Sequence, residues 1–301
     1  MASATELDAM RRAIALSGFG LGTTSPNPPV GCVVLDATGR VVGEGYHHRK
    51  GEAHAEVHAL RAAGDQARGG TAAVTLEPCN HYGRTPPCRQ ALIEAGVARV
   101  VIAVIDPTSR EEGGAARLRS AGVDVEVGVL TEEATLVLGP WLHALTNQRP
   151  HVRWAYVDLN GETDDLPPEI ALLNRSVDVV VWPDGRLEEG VAGAHRSDVF
   201  SLPSTADNVK PDVFLTDLYD RGVRSLLFAG RSGVAELFAA EGLVDQVNVY
   251  LPRQPTSFRP ATLATARPFV PAGFVLTSVD ALDDHERLDF RAVAGEGNRP
   301  V

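Results

Sequence analysis

Apolar and polar positions alternate along the first half of the chain in blocks that predict helices and strands in turn. A helical period over 5–18 precedes two apolar runs at 30–36 and 41–47, which turn-forming residues at 36–40 join as a hairpin. The pattern then predicts helices and strands in strict order: helix 54–63, strand 72–77, a helix from Cys88 that stops at Gly96, strand 99–105, helix 113–121, strand 123–129 and helix 131–146. This order favours an α/β fold, a sheet of a hairpin and βαβ units with helices on both faces.

The second half of the chain has a less regular pattern. Its predicted elements are strands at 152–158, 177–182, 223–228 and 245–251 and a helix at 233–241, separated by proline-rich connectors at 202–211 and 252–260. A polar segment ending in Pro150 divides the two halves. We therefore expect two domains, 1–147 and 150–301, which is the number that 301 residues suggest at roughly 150 per domain.

Composition and charge narrow the class of protein. The chain carries 39 acidic and 28 basic side chains, a net charge of −11, whereas a protein that coats nucleic acid normally has a basic excess. Hydrophobic residues make up 44% and charged residues 22%, as in ordinary globular proteins. No window reaches the roughly 18 apolar residues of a membrane span, and the N-terminus lacks the apolar core of a signal peptide. We expect a cytoplasmic protein without nucleic-acid or membrane partners.

The cysteines differ in their surroundings. Cys32 lies in an apolar strand-like run, where an inert buried thiol is the simplest interpretation. Cys79 and Cys88 flank a stretch rich in proline, glycine and histidine. Together with His54 they supply three ligands and leave one tetrahedral position open for water, the pattern of a catalytic zinc.

Glu56 stands two residues after His54 and is interpreted as a carboxylate that carries protons without binding the metal. Both side chains can point to one spot only if a helix starts at His54. The arrangement H-x-E…P-C…C is that of zinc nucleobase deaminases, although eight residues separate the two cysteines here where two are usual. A structural zinc stays open as an alternative, with a fourth ligand from His47, His58 or His81.

Three segments make the first half similar to a known family. SPNPPVG (25–31), GEGYHHRKGEAHAEVHAL (43–60) and TLEPCNHYGRTPPC (75–88) resemble the deaminase domain of the bifunctional riboflavin-biosynthesis deaminase/reductase family, which shares the long cysteine spacing. The resemblance covers about 5–147 and implies a cytidine-deaminase-like α/β/α domain. It also implies hydrolytic deamination of 2,5-diamino-6-ribosylamino-4(3H)-pyrimidinone 5′-phosphate, with Glu56 as the proton shuttle. One Zn²⁺ per chain would be held by His54, Cys79 and Cys88.

The same resemblance implies a set of contacts to this small phosphorylated pyrimidine. The matching positions are Asn27, His47, His81, Arg84 and Asp106. Arg84 is suited to the ribose phosphate. Thr108 replaces an asparagine of the family, and the loop that follows at 109–114 is unusual, so this end of the substrate site departs from the pattern.

The second half resembles the family's dihydrofolate-reductase-like domain, which uses NADPH, but departs from it at the expected catalytic positions. Ala155 stands about where the family has a lysine, Asp158–Gly161 replaces its S/T-L-D-G turn, and Ala229–Arg231 replaces its E-G-G turn. The segment 178–190 stands where a substrate and cofactor loop is expected. We therefore expect a truncated, degenerate reductase domain that uses no NADPH, with a separate reductase in the pathway. We also expect a homo-oligomer, a dimer being the first choice.

Other functions stay open at this point. The chain could still be a bifunctional deaminase and NADPH reductase. It could also be a paralogue that deaminates a related pyrimidine in a specialised-metabolite pathway, for which Thr108 and the 109–114 loop are the only support. A non-catalytic scaffold is disfavoured, because a scaffold has no need of a carboxylate beside a zinc.

Overall fold

The computed structural model describes residues 1–80, 87–109, 112–158, 168–195, 201–206, 209–252 and 270–293. Contacts divide the chain into two compact units, Met1–Gly139 and Pro140–Val301. The division falls inside a helix that ends at Asn147, so the domain boundary at 147–150 stays a prediction. Two predicted substrate contacts, His81 and Arg84, lie outside the described residues.

The first unit alternates helices and strands in the order that the hydrophobic pattern predicts. Its elements are α1 (Ala4–Ser17), β1 (Gly31–Leu35), β2 (Val41–Tyr46), α2 (Ala55–Ala63), β3 (Thr71–Leu76), α3 (Cys88–Ala95), β4 (Arg99–Val104), α4 (Gly113–Ser120), β5 (Asp124–Val127) and α5 (Thr131–Asn147), whose last residues belong to the second unit. The strands form one sheet in the order β2-β1-β3-β4-β5. β2, β1 and β3 run antiparallel, and β3, β4 and β5 run parallel.

Local signals in the sequence set several of these boundaries. Ser3 and Glu6 form a capping box before α1: each side chain accepts from the other residue's backbone N–H, over 2.7 and 3.3 Å. The predicted hairpin is confirmed, since the N–H of Asp36 donates to the carbonyl of Arg40 over 2.8 Å. Gly96 ends α3 in the left-handed conformation, as predicted, with φ of 73°.

Helices cover both faces of the first sheet, as the pattern predicts. Cys32 and Val34 of β1 pack with α2, α3 and α4. Val33 points to the other face and is also fully buried. Two glycines of β2 allow α2 to lie close: a Cβ at Gly43 would stand 2.1 Å from the carbonyl oxygen of Ala59. A Cβ at Gly45 would be 2.5 Å from that of Ala55. This close packing fixes the start of α2.

The second unit is built around a second sheet, as the sequence predicts, but it contains more elements. They are β6 (His151–Val157), α6 (Pro168–Asn174), β7 (Val179–Val181), β8 (Leu187–Glu189), α7 (Pro211–Asp220), β9 (Ser225–Ala229), α8 (Gly233–Ala240), β10 (Gln246–Pro252), β11 (Phe274–Ala281) and β12 (His285–Ala292). The strand order is β11-β12-β10-β6-β9-β7-β8. The central strands β10, β6, β9 and β7 run parallel.

Apolar side chains on both faces of this second sheet form its core. Trp154 and Phe228 pack on one face with Phe214 and Phe238 of α7 and α8. Ala155 points to the other face, in a cluster with Ile170 of α6. Among the described residues, no helix combines the length and the apolar character needed to cross a membrane.

Candidate active site

Three predicted metal ligands lie at the ends of different elements of the first unit. His54 directly precedes α2 with extended backbone angles, φ −75° and ψ 166°. Cys79 follows β3 after two residues, and Cys88 is the first residue of α3. The condition derived from the sequence is therefore met, since a helix starts immediately after His54 and the side chains at positions 54 and 56 can converge.

The ligand atoms of these three residues come together. Nδ1 of His54 lies 3.2 Å from Sγ of Cys88 and 3.7 Å from Sγ of Cys79, and all three ligand atoms are within 4.8 Å of one another. One imidazole nitrogen and two thiol sulfurs at this separation suit a tetrahedral zinc ion. Within the described residues no other group of three such side chains meets the same distance.

The pKa values of the two cysteines are shifted in opposite directions. A hydrogen bond from Cys88 lowers the pKa of Cys79 to about 4, and the backbone N–H of Cys88 also donates to Sγ of Cys79 over 3.2 Å. The same bond, together with burial, raises the pKa of Cys88. The hydrogen bond with Cys79 also raises the pKa of His54. The thiol and the backbone N–H of Cys88, at the start of α3, thus both favour a thiolate at Cys79.

Glu56 supplies a carboxyl group beside this cluster. It lies in the first turn of α2 and is only 3% exposed. Burial raises its pKa, and the negative charge of Cys79 adds to the rise, while His54 opposes it. The raised pKa favours the protonated carboxyl group more than in water, which suits a residue that takes up and returns a proton.

His47 and Asn27, both predicted substrate contacts, lie next to the ligand cluster. The ring of His47 meets that of His54 edge-on, with 5.1 Å between the ring centroids. Nδ2 of Asn27 lies 3.2 Å from Nε2 of His47. Burial lowers the pKa of His47 to about 4. The structure therefore brings Asn27, His47 and His54 into one group.

Asp106, another predicted contact, begins the segment that follows β4. Its Oδ1 accepts from the backbone N–H of Thr108 over 2.8 Å and from the hydroxyl of Thr108 over 2.7 Å. The threonine that replaces the expected asparagine is thus bound to the aspartate itself. His81 and Arg84 fall in 81–86, outside the described residues.

One buried residue near the cluster has no role in the sequence-based interpretation. Glu77, two residues before Cys79, is 5% exposed and accepts hydrogen bonds from residues of the 106–115 region. Its presence in the T-L-E-P-C motif is the only signal for it in the sequence. Its partners, about 30 residues further along the chain, could not be found from local pattern.

In the second unit, the position about where the family's lysine is expected lies in an apolar core. Ala155 is fully buried, packed with Ile170, Leu227 and Tyr250. Its carbonyl accepts from the N–H of Gly230 over 2.7 Å. Residues 159–161 of the turn that follows β6 are outside the described residues.

The first unit's fold and this group of side chains define a deaminase enzyme of the cytidine deaminase class. Residues 4–104 match the family described as the cytidine and deoxycytidylate deaminase zinc-binding region. The match spans α1 to β4 and so includes His54, Glu56, Cys79 and Cys88.

Longer relatives identify the family within that class. RibD of Corynebacterium ammoniagenes, a riboflavin-biosynthesis protein, is 35% identical over 285 residues, which are 80% of this chain and 84% of that protein. The chain belongs to the RibD family. RibD of Escherichia coli is 52% identical over 156 residues, 51% of this chain. That match covers 42% of the E. coli protein, so the chain spans less than half the length of the first curated relatives it matches.

A solved structure extends the likeness to both units. The deaminase/reductase of Thermotoga maritima, described as a diaminohydroxyphosphoribosylaminopyrimidine deaminase/5-amino-6-(5-phosphoribosylamino)uracil reductase, has a TM-score of 0.75 at 27% identity. The superposition covers 96% of this chain and 99% of that one. The second unit therefore keeps the fold that this family has after its deaminase domain.

Proposed function

We propose that the chain is a zinc-dependent aminohydrolase that deaminates 2,5-diamino-6-ribosylamino-4(3H)-pyrimidinone 5′-phosphate in riboflavin biosynthesis. The observation that carries the proposal is the convergence of His54, Cys79 and Cys88 beside the buried carboxyl group of Glu56. Three ligands and one adjacent carboxyl group are what a hydrolytic zinc deaminase requires.

The donor set fits the metal. Nδ1 of His54 faces both sulfurs, and Cys79 has a lowered pKa that favours the thiolate a zinc ion binds. Three protein ligands leave a fourth tetrahedral position for water or substrate, unlike a closed structural site. When bound, zinc would supply the Lewis acidity that activates a water molecule for attack at neutral pH.

The chain's own residues would move the protons. In hydrolytic deamination a water oxygen bonds to the ring carbon, the bond from that carbon to the amine breaks, and ammonia leaves. Glu56 would accept a proton from the water and pass it to the amino nitrogen of the substrate. This nitrogen leaves readily only after it is protonated, because it then departs as neutral ammonia. Its burial against the ligand cluster keeps this carboxyl group away from bulk water.

The substrate would be held by groups on the same side of the sheet as the metal ligands. The carboxamide of Asn27, oriented by His47, lies next to His54 and is suited to the pyrimidine ring. Asp106 follows β4, the strand beside β3, and would face the ribose. Arg84 and His81 are proposed at the phosphate end and at the ring, respectively, on the resemblance alone.

Ammonia release from the pathway substrate tests the proposal. Glu56→Gln should retain about one zinc per chain and lose at least about a thousandfold in kcat, since the shuttle is removed and the ligands are kept. Glu52→Gln, an exposed residue close in sequence, is the matched control and should turn over normally. Full activity of Glu56→Gln, or the absence of ammonia release by the unmodified protein, would contradict the proposal.

We further propose that the second unit has lost reductase activity. Ala155 packs between apolar side chains, so the amine of a lysine is missing about where the family has one. The chain contains only two lysines, Lys50 and Lys210. Lys210 precedes α7, is exposed and lies 3.5 Å from Asp212, so it does not substitute in β6.

A bifunctional deaminase and NADPH reductase is the second candidate, favoured by the structural match along 99% of the Thermotoga chain. NADPH oxidation in the presence of the deaminated product separates the two. Loss of reductase activity predicts that NADPH absorbance stays constant while ammonia is released in the first step. Oxidation of NADPH by the same preparation would establish the bifunctional enzyme.

A lost reductase requires that another protein reduce the ribose of the product. The pathway of the source organism should then contain a separate reductase that restores product formation when added to this protein. We also propose a homodimer. Sedimentation equilibrium should give twice the mass of 32.0 kDa, and a monomer at assay concentration would contradict this.

A further inference from the structure

Glu77 joins two segments at one edge of the first sheet. Its backbone N–H donates to the carbonyl of Val104, at the end of β4, over 2.9 Å. Oε2 accepts from the hydroxyl of Ser109 over 2.8 Å and from the backbone N–H of Asp106 over 3.3 Å. Oε1 accepts from the backbone N–H of Ala115 over 2.9 Å. One carboxylate thus binds the segment after β4 and the first turn of α4.

This carboxylate also serves as the cap of α4. The helix has no side-chain hydrogen bond from Glu112, the residue that precedes it. The N–H of Ala115 is one of the groups that a helix leaves unpaired at its start, and a negative charge there is favourable. Gly113 makes room, because a Cβ at that position would stand 2.5 Å from Oε1 of Glu77.

The two joined segments both belong to the proposed site. Glu77 is separated from the ligand Cys79 only by Pro78, whose carbonyl oxygen would stand 1.8 Å from a Cβ at Gly114. β3 and β4 are parallel neighbours, so Cys79 and Asp106 follow their carboxyl ends at the same edge of the sheet. Ligands of open α/β sheets lie along this edge. A substrate held at the metal would therefore extend over 106–109.

We propose that Glu77 is a positioning residue that fixes the 106–109 segment relative to Cys79 and thereby sets the affinity for the sugar-phosphate end of the substrate. The inference rests on the proposed deaminase function. Glu77 itself is buried and does not touch the substrate. Its effect passes through the backbone of Asp106 and the hydroxyl of Ser109, which it holds in place.

Glu77→Gln is the test variant, since the side chain keeps its size but turns an NH₂ group toward a backbone N–H. We expect KM for the 5′-phosphorylated substrate to rise about tenfold while kcat stays within about threefold. The corresponding pyrimidine base, which lacks both the ribose and the phosphate, should change in KM less than about twofold. Zinc content should stay at one per chain.

Two further variants keep the result independent of stability. Ser109→Ala removes one hydrogen bond to Glu77 without affecting α4, and should raise the same KM by about threefold. Glu44→Gln is the control, because it removes one negative charge by the same substitution as Glu77→Gln. It breaks a bidentate pair with Arg12, in which each hydrogen bond is 2.9 Å long. It should leave the ratio of the two substrates' kcat/KM unchanged.

The outcomes separate this inference from the function on which it rests. An unmodified protein that releases no ammonia from either substrate removes the deaminase function, and the role of Glu77 with it. An active unmodified protein whose Glu77→Gln variant loses equally on both substrates, or loses kcat instead of KM, overturns the positioning role alone. If Glu77→Gln fails to fold, the Ser109→Ala variant decides. An equal change in KM for both substrates in that variant would overturn the positioning role.

Discussion

The carboxamide nitrogen of Asn27 lies 3.2 Å from Nε2 of His47, whose Nδ1 lies 3.1 Å from the carbonyl oxygen of Ala53. A carbonyl oxygen only accepts, so Nδ1 carries the hydrogen and Nε2 accepts from Asn27. The pKa of about 4, lowered by burial, keeps the ring neutral at pH 7 and this tautomer intact. One hydrogen of the Asn27 carboxamide is thus donated to His47, which fixes the orientation of the amide; in the proposed function its oxygen would accept from the substrate.

Replacement of His47 should therefore impair substrate binding through Asn27. In His47→Phe the carboxamide loses its partner, and we expect kcat/KM for ammonia release to fall about 10- to 100-fold with zinc content unchanged. His48→Phe is the control: this neighbouring ring is half-exposed and stacks on His58, with 4.3 Å between the ring centroids. Equal losses in both variants would mean that Asn27 does not depend on His47.

Zinc binding should distinguish the three cysteines. Cys79→Ala and Cys88→Ala each remove one of three ligands and should lower the zinc content from about one per chain to less than about 0.2 after dialysis. Cys32→Ala, fully buried in β1, should keep its zinc and lose only about 1–2 kcal/mol of stability from the small cavity. Elemental analysis of the three variants is the measurement, and retention of zinc by Cys79→Ala would contradict the assigned ligand set.

The metal ligands were accessible from the sequence because their chemistry is carried by residue type and spacing. The helix that starts after His54 follows from apolar periodicity, so the convergence of His54 and Glu56 could be derived. The orientation of His47 by the carbonyl of Ala53 could not be derived in this way, because every residue has a backbone carbonyl and the sequence does not show which one accepts the hydrogen bond. The contacts of Glu77 likewise depend on how β3 and β4 pair.

In the second unit, the sequence-based interpretation missed elements for identifiable reasons. The segment 202–211 reads as a proline-rich connector, yet Pro211 is the first residue of α7, a position that favours proline because its missing N–H is not needed. The hairpin of β11 and β12 lies at the edge of the sheet, and β11 alternates between half-buried and exposed residues. Its residue types do not follow that alternation, because Val275 and Val279 occupy exposed positions, so the sequence has no period of two that would have marked the strand.

A partly buried ion pair between Arg149 and Asp245 should contribute to the stability of the second unit. Asp245 accepts from both terminal nitrogens of Arg149, over 2.6 and 2.8 Å, and from the backbone N–H of Val152 over 2.8 Å. Asp245→Ala leaves the guanidinium and the N–H without this partner in a poorly hydrated place. We expect a loss of about 3–5 kcal/mol in the free energy of unfolding.

Tryptophan fluorescence during urea unfolding can measure this loss, because all three tryptophans, at 141, 154 and 182, lie in the second unit. Asp184→Ala is the matched control. Its pair with Arg186 is more than half exposed on both sides and screened by water, so its removal should change the free energy of unfolding much less. A cost for Asp245→Ala no larger than that of the control would mean that the Arg149 pair does not stabilise this unit.

His151, at the start of β6, should make the second unit sensitive to acid. Burial lowers its pKa from 6.5 to about 3; the negative charge of Asp245 opposes this shift, whereas the positive charges of Arg153 and Arg149 add to it. Below pH 6.5 His151 binds a proton in the unfolded chain but stays neutral in the folded protein. Its neutral form therefore contributes its full share to the free energy of unfolding only above pH 6.5. This contribution is lost as the pH falls toward 3, by up to about 1.4 kcal/mol per pH unit.

His151→Gln cannot take up this proton and isolates its contribution from that of the carboxylates and of His143, which faces the same ring. The stability of the unmodified protein relative to His151→Gln should fall by about 2 kcal/mol between pH 7 and pH 5. Urea unfolding at the two pH values, followed through the same tryptophans, gives this difference directly. A difference that is the same at both pH values would mean that His151 is protonated as readily in the folded protein as in the unfolded chain.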